Sequence, residues 1–393
     1  MKTNISILFF TIIIAYSSTG FGNDSKIENV RMTNIGATQF TVSWTSSNNE
    51  MGYVKYGHSN DLPEDWKFGY DDRGEKVIDD IHHVTIKKLK ANTSYSFFII
   101  SNNVIYNNNN SYYTARTGPV LTPVINTCQP SGKVVIRKDN TINQNDSIVY
   151  ITIPGNEITD HSATGSMIVS LRTMGYWFMD LSNFRNSDQS QLYSNPCVTD
   201  LILIEAQSGK QGTATMVTPF IEDVELPPLI LDDSQDMAST IISMTATVCP
   251  FNKVVLQWRH LDIQNEKTKQ QSTIGFNIWR SDMNDKNFIK INDSIIPNDS
   301  VYLSIKKYSF IDLYQSNSDH LFYKLEEIQS AGQSKYYDAI SAESRHIKLE
   351  DIVVGLQVLV GIRSSDDVSL IFLDFNNNNK IDIQDIIELM RIQ

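Results

Sequence analysis

Short runs in which apolar and polar residues alternate fill the chain from residue 26 to about residue 345, and a period near 3.6 replaces them in the last 48 residues. Phe40-Thr41-Val42-Ser43-Trp44 has period two, as a half-buried strand does. Residues 53–57, 83–89, 94–100 and 112–117 read as further strands of a first unit over 26–121. Residues 134–136, 147–153, 166–171 and 201–205 supply a second β-rich unit over 122–230. Leu226-Pro227-Pro228 and the charge run from Asp232 to Asp236 oppose regular structure, which places a linker at 231–242. A third unit, 243–345, opens on Val254-Val255-Leu256-Gln257-Trp258, the counterpart of the Trp44 strand. It continues through 275–281, 288–292, 322–328 and 336–338, with Ala331-Gly332-Gln333 as a hairpin connection.

In the C-terminal stretch, Leu349, Ile352, Val353, Leu356, Leu359 and Val360 form one helical stripe, and Ile383, Ile386, Ile387 and Met390 form a second. The stripes align as a repeat, residues 347–353 against 381–387. Each half alone has an apolar face with nothing to cover it, and two antiparallel helices packed together would cover both. Ahead of the second helix, Asp374, Asn376, Asn378, Asp382 and Asp385 put oxygen side chains at loop positions 1, 3, 5, 9 and 12, and Lys380 at position 7 offers its carbonyl. This spacing suits calcium, a hard cation that takes six to eight oxygens in one turn. Asn379 stands where glycine usually makes the sharp bend, and asparagine tolerates positive φ. Counted back from Asp351, the matching positions of the first repeat are Ile340, Ala342 and Ser344, which leaves one ion rather than two. Three carboxylates point to an affinity on the order of 10⁻⁴–10⁻³ M.

Residues 1–22 read as a secretory signal peptide: a short start with Lys2, an apolar run over 5–16, then small residues up to Gly22. The run is shorter than the roughly 20 residues a span needs. The expectation is an exported bacterial protein, secreted or at the cell surface, with no membrane span after cleavage. The 33 Lys and Arg against 45 Asp and Glu give a net charge of −12, which argues against a general nucleic-acid binder. Cys128, Cys197 and Cys249 are too few for a disulfide framework and fit no zinc spacing. Cys128 and Cys197 could pair in an oxidising compartment, or all three could be buried thiols.

Leu89-Lys90-Ala91-Asn92-Thr93-Ser94-Tyr95-Ser96-Phe97, with Trp44 on an early strand, resembles the strand corner of fibronectin type III domains, in which a buried tyrosine bonds back to the backbone. The His82-His83 pair is also similar to the non-catalytic N-terminal sandwich of purple acid phosphatases, but neighbouring strand residues face opposite ways, so the pair reads as structural. Ser131-Gly132-Lys133-Val134 and Gly175-Tyr176-Trp177-Phe178 resemble prealbumin-like sandwiches of the carboxypeptidase-regulatory type. Gly275-Phe276-Asn277-Ile278-Trp279-Arg280-Ser281 and the segments after it resemble a divergent fibronectin type III-like module of exported bacterial proteins. The duplicated helix and its loop, 346–393, resemble a dockerin module, an EF-hand-like unit, with Asn378 and Asn379 as departures. That resemblance implies a cohesin-like extracellular protein partner and puts Ile383-Gln384 at a contact position. A half-degenerate copy could instead cap the third sandwich. The fold class is therefore mostly β: tandem β-sandwiches, fibronectin type III-like and prealbumin-like, followed by a small α-helical dockerin or EF-hand-like unit.

No His-Glu-x-x-His, phosphate-cradling glycine loop or Gly-x-Ser-x-Gly elbow occurs in the sequence. Pro154-Gly155-Asn156-Glu157 with Asp160-His161 reads as a surface loop rather than a metallophosphoesterase fragment. Asp71-Asp72 and Asp79-Asp80 read as loop charges rather than a glycosidase pair. Trp66, Tyr106, Tyr112 and Tyr113 read as core or edge packing, with sugar stacking as the other use. The expected function is non-catalytic: adhesion, spacing or protein docking, with a calcium-stabilised C-terminal module. The rival is an accessory role in extracellular polysaccharide degradation, by carbohydrate binding or an unrecognised glycoside hydrolase.

Overall fold

The computed structural model describes residues 26–125, 128–136, 146–156, 159–170, 173–193, 201–219, 225–231, 240–249, 253–263, 273–283, 286–299, 303–313, 320–330, 332–344, 349–364, 370, 373–374, 378 and 380–392. Residues 1–22, most of the linker, Cys197, Asn376 and Asn379 lie outside them. The chain is mostly β, with strands arranged as successive sandwiches; among the described residues the α-helices lie near the C-terminus.

The first sandwich holds β1 (Ile27–Thr33), β2 (Gln39–His58), β3 (Lys67–Tyr70), β4 (Ile78–Lys87), β5 (Ser94–Ser101), β6 (Val104–Tyr106) and β7 (Tyr113–Arg116). The two strands expected at 40–44 and 53–57 are one strand. The first half of β2 pairs with β1 and β4, and its second half pairs with β3 and β5. A register shift between Thr45 and Glu50 opposite β4 lets the strand bend from one sheet into the other. Phe40, Val42 and Trp44 then meet Val54, Phe97 and Ile99 in a single core. The tyrosine corner is present: the buried Tyr95 hydroxyl accepts the Lys90 N–H at 2.9 Å.

The second unit holds β8 (Ser131–Ile136), β9 (Ser147–Thr152), β10 (Gly165–Val169), β11 (Tyr176–Phe178), β12 (Ile202–Gln207), β13 (Thr213–Thr218) and β14 (Leu229–Leu231). One sheet runs β10-β9-β12-β13 and the other β11-β8-β14. β9 and β12 are buried along their whole length, because both faces are covered. Val149, Ile151 and Ile204 face the unit's own core, where Cys128 also lies. Ile148 and Tyr150 face Ile81 of the first sandwich. Leu201 and Leu203 face Leu261, Leu303 and Ile305 of the third. An uninterrupted apolar run in this part of the sequence thus records two neighbours.

The third sandwich holds β15 (Thr240–Cys249), β16 (Lys253–Leu261), β17 (Thr273–Ser281), β18 (Ile289–Lys290), β19 (Ile296–Pro297), β20 (Ile305–Leu313), β21 (Phe322–Gln329), β22 (Ser334–Tyr336), β23 (Ile340–Ser341) and β24 (Glu343–Ser344). It opens at Thr240 rather than 243, and β14 carries the second unit to Leu231, so the segment between them is shorter than 231–242. Trp258 occupies its centre as Trp44 does in the first, stacked on Tyr308 at 5.4 Å and edge-on to Phe276 at 5.6 Å.

Polar contacts lock the first junction. The Arg31 guanidinium donates to both carboxylate oxygens of Glu205, at 2.9 and 3.0 Å, and lies over the Tyr150 ring. Asn34 exchanges hydrogen bonds with the backbone of Ser166. His83 bonds Ser166 Oγ at 2.9 Å through Nε2 and Asp72 at 2.8 Å through Nδ1. His82 points the other way and stacks on Trp44 at 4.8 Å. The two imidazoles serve opposite faces of β4, as strand geometry requires.

Candidate functional site

Two helices, α1 (Leu349–Leu359) and α2 (Ile383–Ile392), follow the third sandwich and contact each other. Only part of each apolar stripe is covered where the two helices meet. Ile352 and Val358 of α1 and Ile386 of α2 turn inward, onto Leu370, Leu373 and Val255 of β16. Leu349, Val353, Leu356, Leu359 and Val360, with Ile383, Ile387 and Met390, remain 36–68 % exposed. The apolar stripe on each helix is wider than the line the sandwich can cover, so the surplus faces solvent.

In the first repeat, described residues at positions that match the start of the metal loop are strand residues. Ile340 lies in β23, paired with β21, and Ser344 lies in β24, paired with β15. Incorporation into the sandwich agrees with its lack of ligand side chains.

In the second repeat, side chains of the loop hold its own backbone. Asn378 N–H donates to Asp374 Oδ1 at 3.2 Å, Lys380 N–H to Asn378 Oδ1 at 2.9 Å, and Asp382 N–H to Asp385 Oδ2 at 2.8 Å. Asn378 Nδ2 donates to Asp382 Oδ2 at 2.9 Å, and Gln384 N–H to Asp382 Oδ1 at 2.8 Å. Hydrogen bonds from Asn378 and Gln384 hold the Asp382 carboxyl below the usual range. Asp374 and Asp385 are buried, and Asn376 lies outside the described residues. The donors fit calcium in kind, since all are oxygens. Among the described residues, no three carboxylate, imidazole or thiolate side chains stand together closely enough to hold a metal by themselves. Amide and carbonyl oxygens would have to complete the shell.

Lys253 went unnoticed in the sequence because a lysine opening a strand reads as solvated. Its side chain is buried instead, and Nζ donates to the Asp374 carbonyl at 2.5 Å. Burial lowers its pKa, and the nearby Asp374 and Asp385 charges oppose that fall. The first loop position is thereby tied to β16.

The other candidates are absorbed by structure. Asp71 and Asp79 accept from Arg73, Asp72 from Thr85, and Asp80 from the Lys210 N–H. Gly155 bridges to the third sandwich through Leu303 and Ile305, and His161 Nδ1 meets the carbonyl of Ser162. Trp66 lies flat over Gly57, where a Cβ would come within 2.2 Å of the indole, and covers Phe98. Tyr113 stacks on Phe97 of the core. Tyr112 stays exposed, as do Phe68 and Tyr70 of β3, two aromatics the strand pattern did not single out.

Residues 25–116 match the fibronectin type III domain. No curated protein matches the chain. Among solved structures, a computer-redesigned β-sandwich protein is 25 % identical over 24 % of this chain and 96 % of its own, with a TM-score of 0.18. The chicken CNTN1 FN1–FN3 domains are 11 % identical over 81 % and 98 %, with a TM-score of 0.19. A DUF3823 family protein from Bacteroides ovatus is 9 % identical over 55 % and 98 %, with a TM-score of 0.22. Scores this low carry nothing about function. No helix of the described residues is long and apolar enough to cross a membrane.

Proposed function

We propose that the chain is a non-catalytic modular protein of the bacterial exterior, in which the sandwiches act as a spacer and the C-terminal helical pair docks an extracellular protein. The observation that carries this reading is the pair of apolar stripes left exposed on α1 and α2. Continuous strips of this kind on adjoining helices suit a protein partner better than water. Calcium at Asp374, Asn376, Asn378, Lys380, Asp382 and Asp385 would stabilise the loop that sets α2 in place.

Calorimetric titration of calcium into the full chain is expected to give one weak site, absent in Asp374→Ala, and a calcium-dependent rise in Tm. Extracellular proteins captured on immobilised protein should be lost with Val353→Asp and Ile387→Asp while Tm stays within about 0.5 kcal/mol equivalent of the parent. Capture that survives both substitutions would reject the docking role.

A second reading, carbohydrate binding, draws support from the exposed aromatic face of β3. Phe68 and Tyr70 rings lie 6.3 Å apart and nearly parallel, with Tyr53 beside both. Retardation in native gels cast with neutral polysaccharides, abolished by Phe68→Ala with Tyr70→Ala, is its expected signature. Equal mobility with and without polysaccharide would remove it.

A further inference from the structure

A lysine opens β16 on the face that the helical pair covers. Lys253 and Val255 stand two residues apart on one strand and so point to the same side of the sheet. Val255 meets Ile352 and Ile386 of the helices. Lys253 meets the loop ahead of α2: it is 1 % exposed, and its Nζ donates to the Asp374 carbonyl. That loop carries two buried carboxylates, Asp374 at its first position and Asp385 at its twelfth. The charges of both bear on the lysine, as does the thiol of Cys249, its cross-strand partner on β15.

Taking a carboxylate out of water is costly unless a cation and hydrogen bonds compensate it. Backbone N–H groups of the loop do part of this, Asn378 donating to Asp374 Oδ1 and Asp382 to Asp385 Oδ2. These donors are neutral, so they orient the carboxylates without cancelling their charge. A calcium ion in the loop would supply positive charge only while it is bound. Lys253 supplies it from the sandwich at all times, on a stem fixed by β16. The same charge opposes any cation that enters the loop, because like charges repel most strongly where water is excluded.

We infer that Lys253 is the built-in cation of this loop, a positioning residue that seats the helical pair on the third sandwich without calcium and weakens the calcium that the loop binds. The second half rests on the calcium reading of the loop, and the first half does not. The exposed stripes of α1 and α2 are accordingly presented at any calcium level, with the ion adding stability to that surface rather than switching it on.

Hydrogen exchange of the α2 amides in the full chain, in chelator and in excess calcium, tests the inference beside calcium calorimetry. In the parent, α2 should already be protected in chelator. In Lys253→Met, which keeps the bulk of the stem, α2 should exchange about tenfold faster in chelator while β17 and β21 stay protected. Calcium should restore that protection and bind about tenfold more tightly than to the parent. Adding Asp374→Asn to Lys253→Met should slow α2 exchange again in chelator, because it removes a carboxylate left without its cation. A lysine that only fills space would give no such response. Lys253→Gln, neutral but polar, gives the same readouts should Lys253→Met also open β17 and β21. Parent-like α2 exchange in Lys253→Met, no response to Asp374→Asn, or calcium that binds parent and variant equally would each overturn the inference. No calcium heat in either chain, with the exchange pattern as expected, rejects the calcium reading and supports Lys253 as the cation of the loop.

Discussion

Arg73→Ala is expected to lower the unfolding free energy of the first module by about 3–5 kcal/mol, the cost of leaving buried charge without its partner. Arg73 Nε and Nη2 donate to the two oxygens of Asp71 at 2.9 and 3.0 Å, and Nη1 donates to Asp79 and to Asp146 of the second unit at 2.5 and 2.8 Å. Nη2 also reaches the Ile81 carbonyl at 2.6 Å. With the guanidinium gone, three carboxylates face one another, and that of Asp71 is almost completely shielded from water. Arg73→Lys keeps a charge but not the planar fork, so an intermediate loss is expected. Urea unfolding checks both, and a change under about 1 kcal/mol in the alanine variant would show that the cluster is not a clamp.

Acid should approach the same result by another route. Burial disfavours the charged form of Asp71, but His82 and Arg73 outweigh it and hold the carboxyl well below the usual range. At Asp72 burial is likewise outweighed by His83 and Thr85. A depressed folded pKa contributes stability that is present above the unfolded value, about 4, and is lost as pH falls through the folded one. Tm should therefore decline below about pH 4, and more shallowly in Arg73→Ala, which has already lost most of the Asp71 contribution.

Trp258→Ala should cost about 3–5 kcal/mol in the third sandwich through the transfer term and the cavity it leaves. The indole is 1 % exposed and fills the space between Tyr308 and Phe276. Because the outward side of the same strand carries Lys253 and Val255 under the helical pair, docking should fail together with the fold. That joint loss separates it from Ile387→Asp, which should remove docking alone. Denaturant melts read beside partner capture distinguish the two, and a Trp258→Ala chain that melts like the parent would contradict the assigned core.

The alternation around Trp44, the Leu89-to-Phe97 corner and the Trp258 strand were legible because a sandwich strand writes its two faces into a period of two, and these strands have one face in a core. Residues 148–153 carry no such alternation, since β9 lies between two neighbours and both faces are apolar. Nor could the pattern reveal that β2 runs unbroken from one sheet to the other, because a bulge leaves only a lapse in alternation that looks like a turn.

In the C-terminal region the sequence determined that two helices form and that an oxygen-rich loop precedes the second, since periodicity and ligand spacing are local properties. Which residues of each stripe are buried was decided by tertiary structure. β16 offers a narrow apolar strip around Val255, and among the described residues of the two stripes Ile352 and Ile386 are buried in that cluster, joined by Val358 and the half-buried Val354 from outside the stripe. The burial of Lys253 beneath the loop was also invisible in sequence: it depends on which part of one sheet face the helical pair covers, and no local pattern encodes a neighbour.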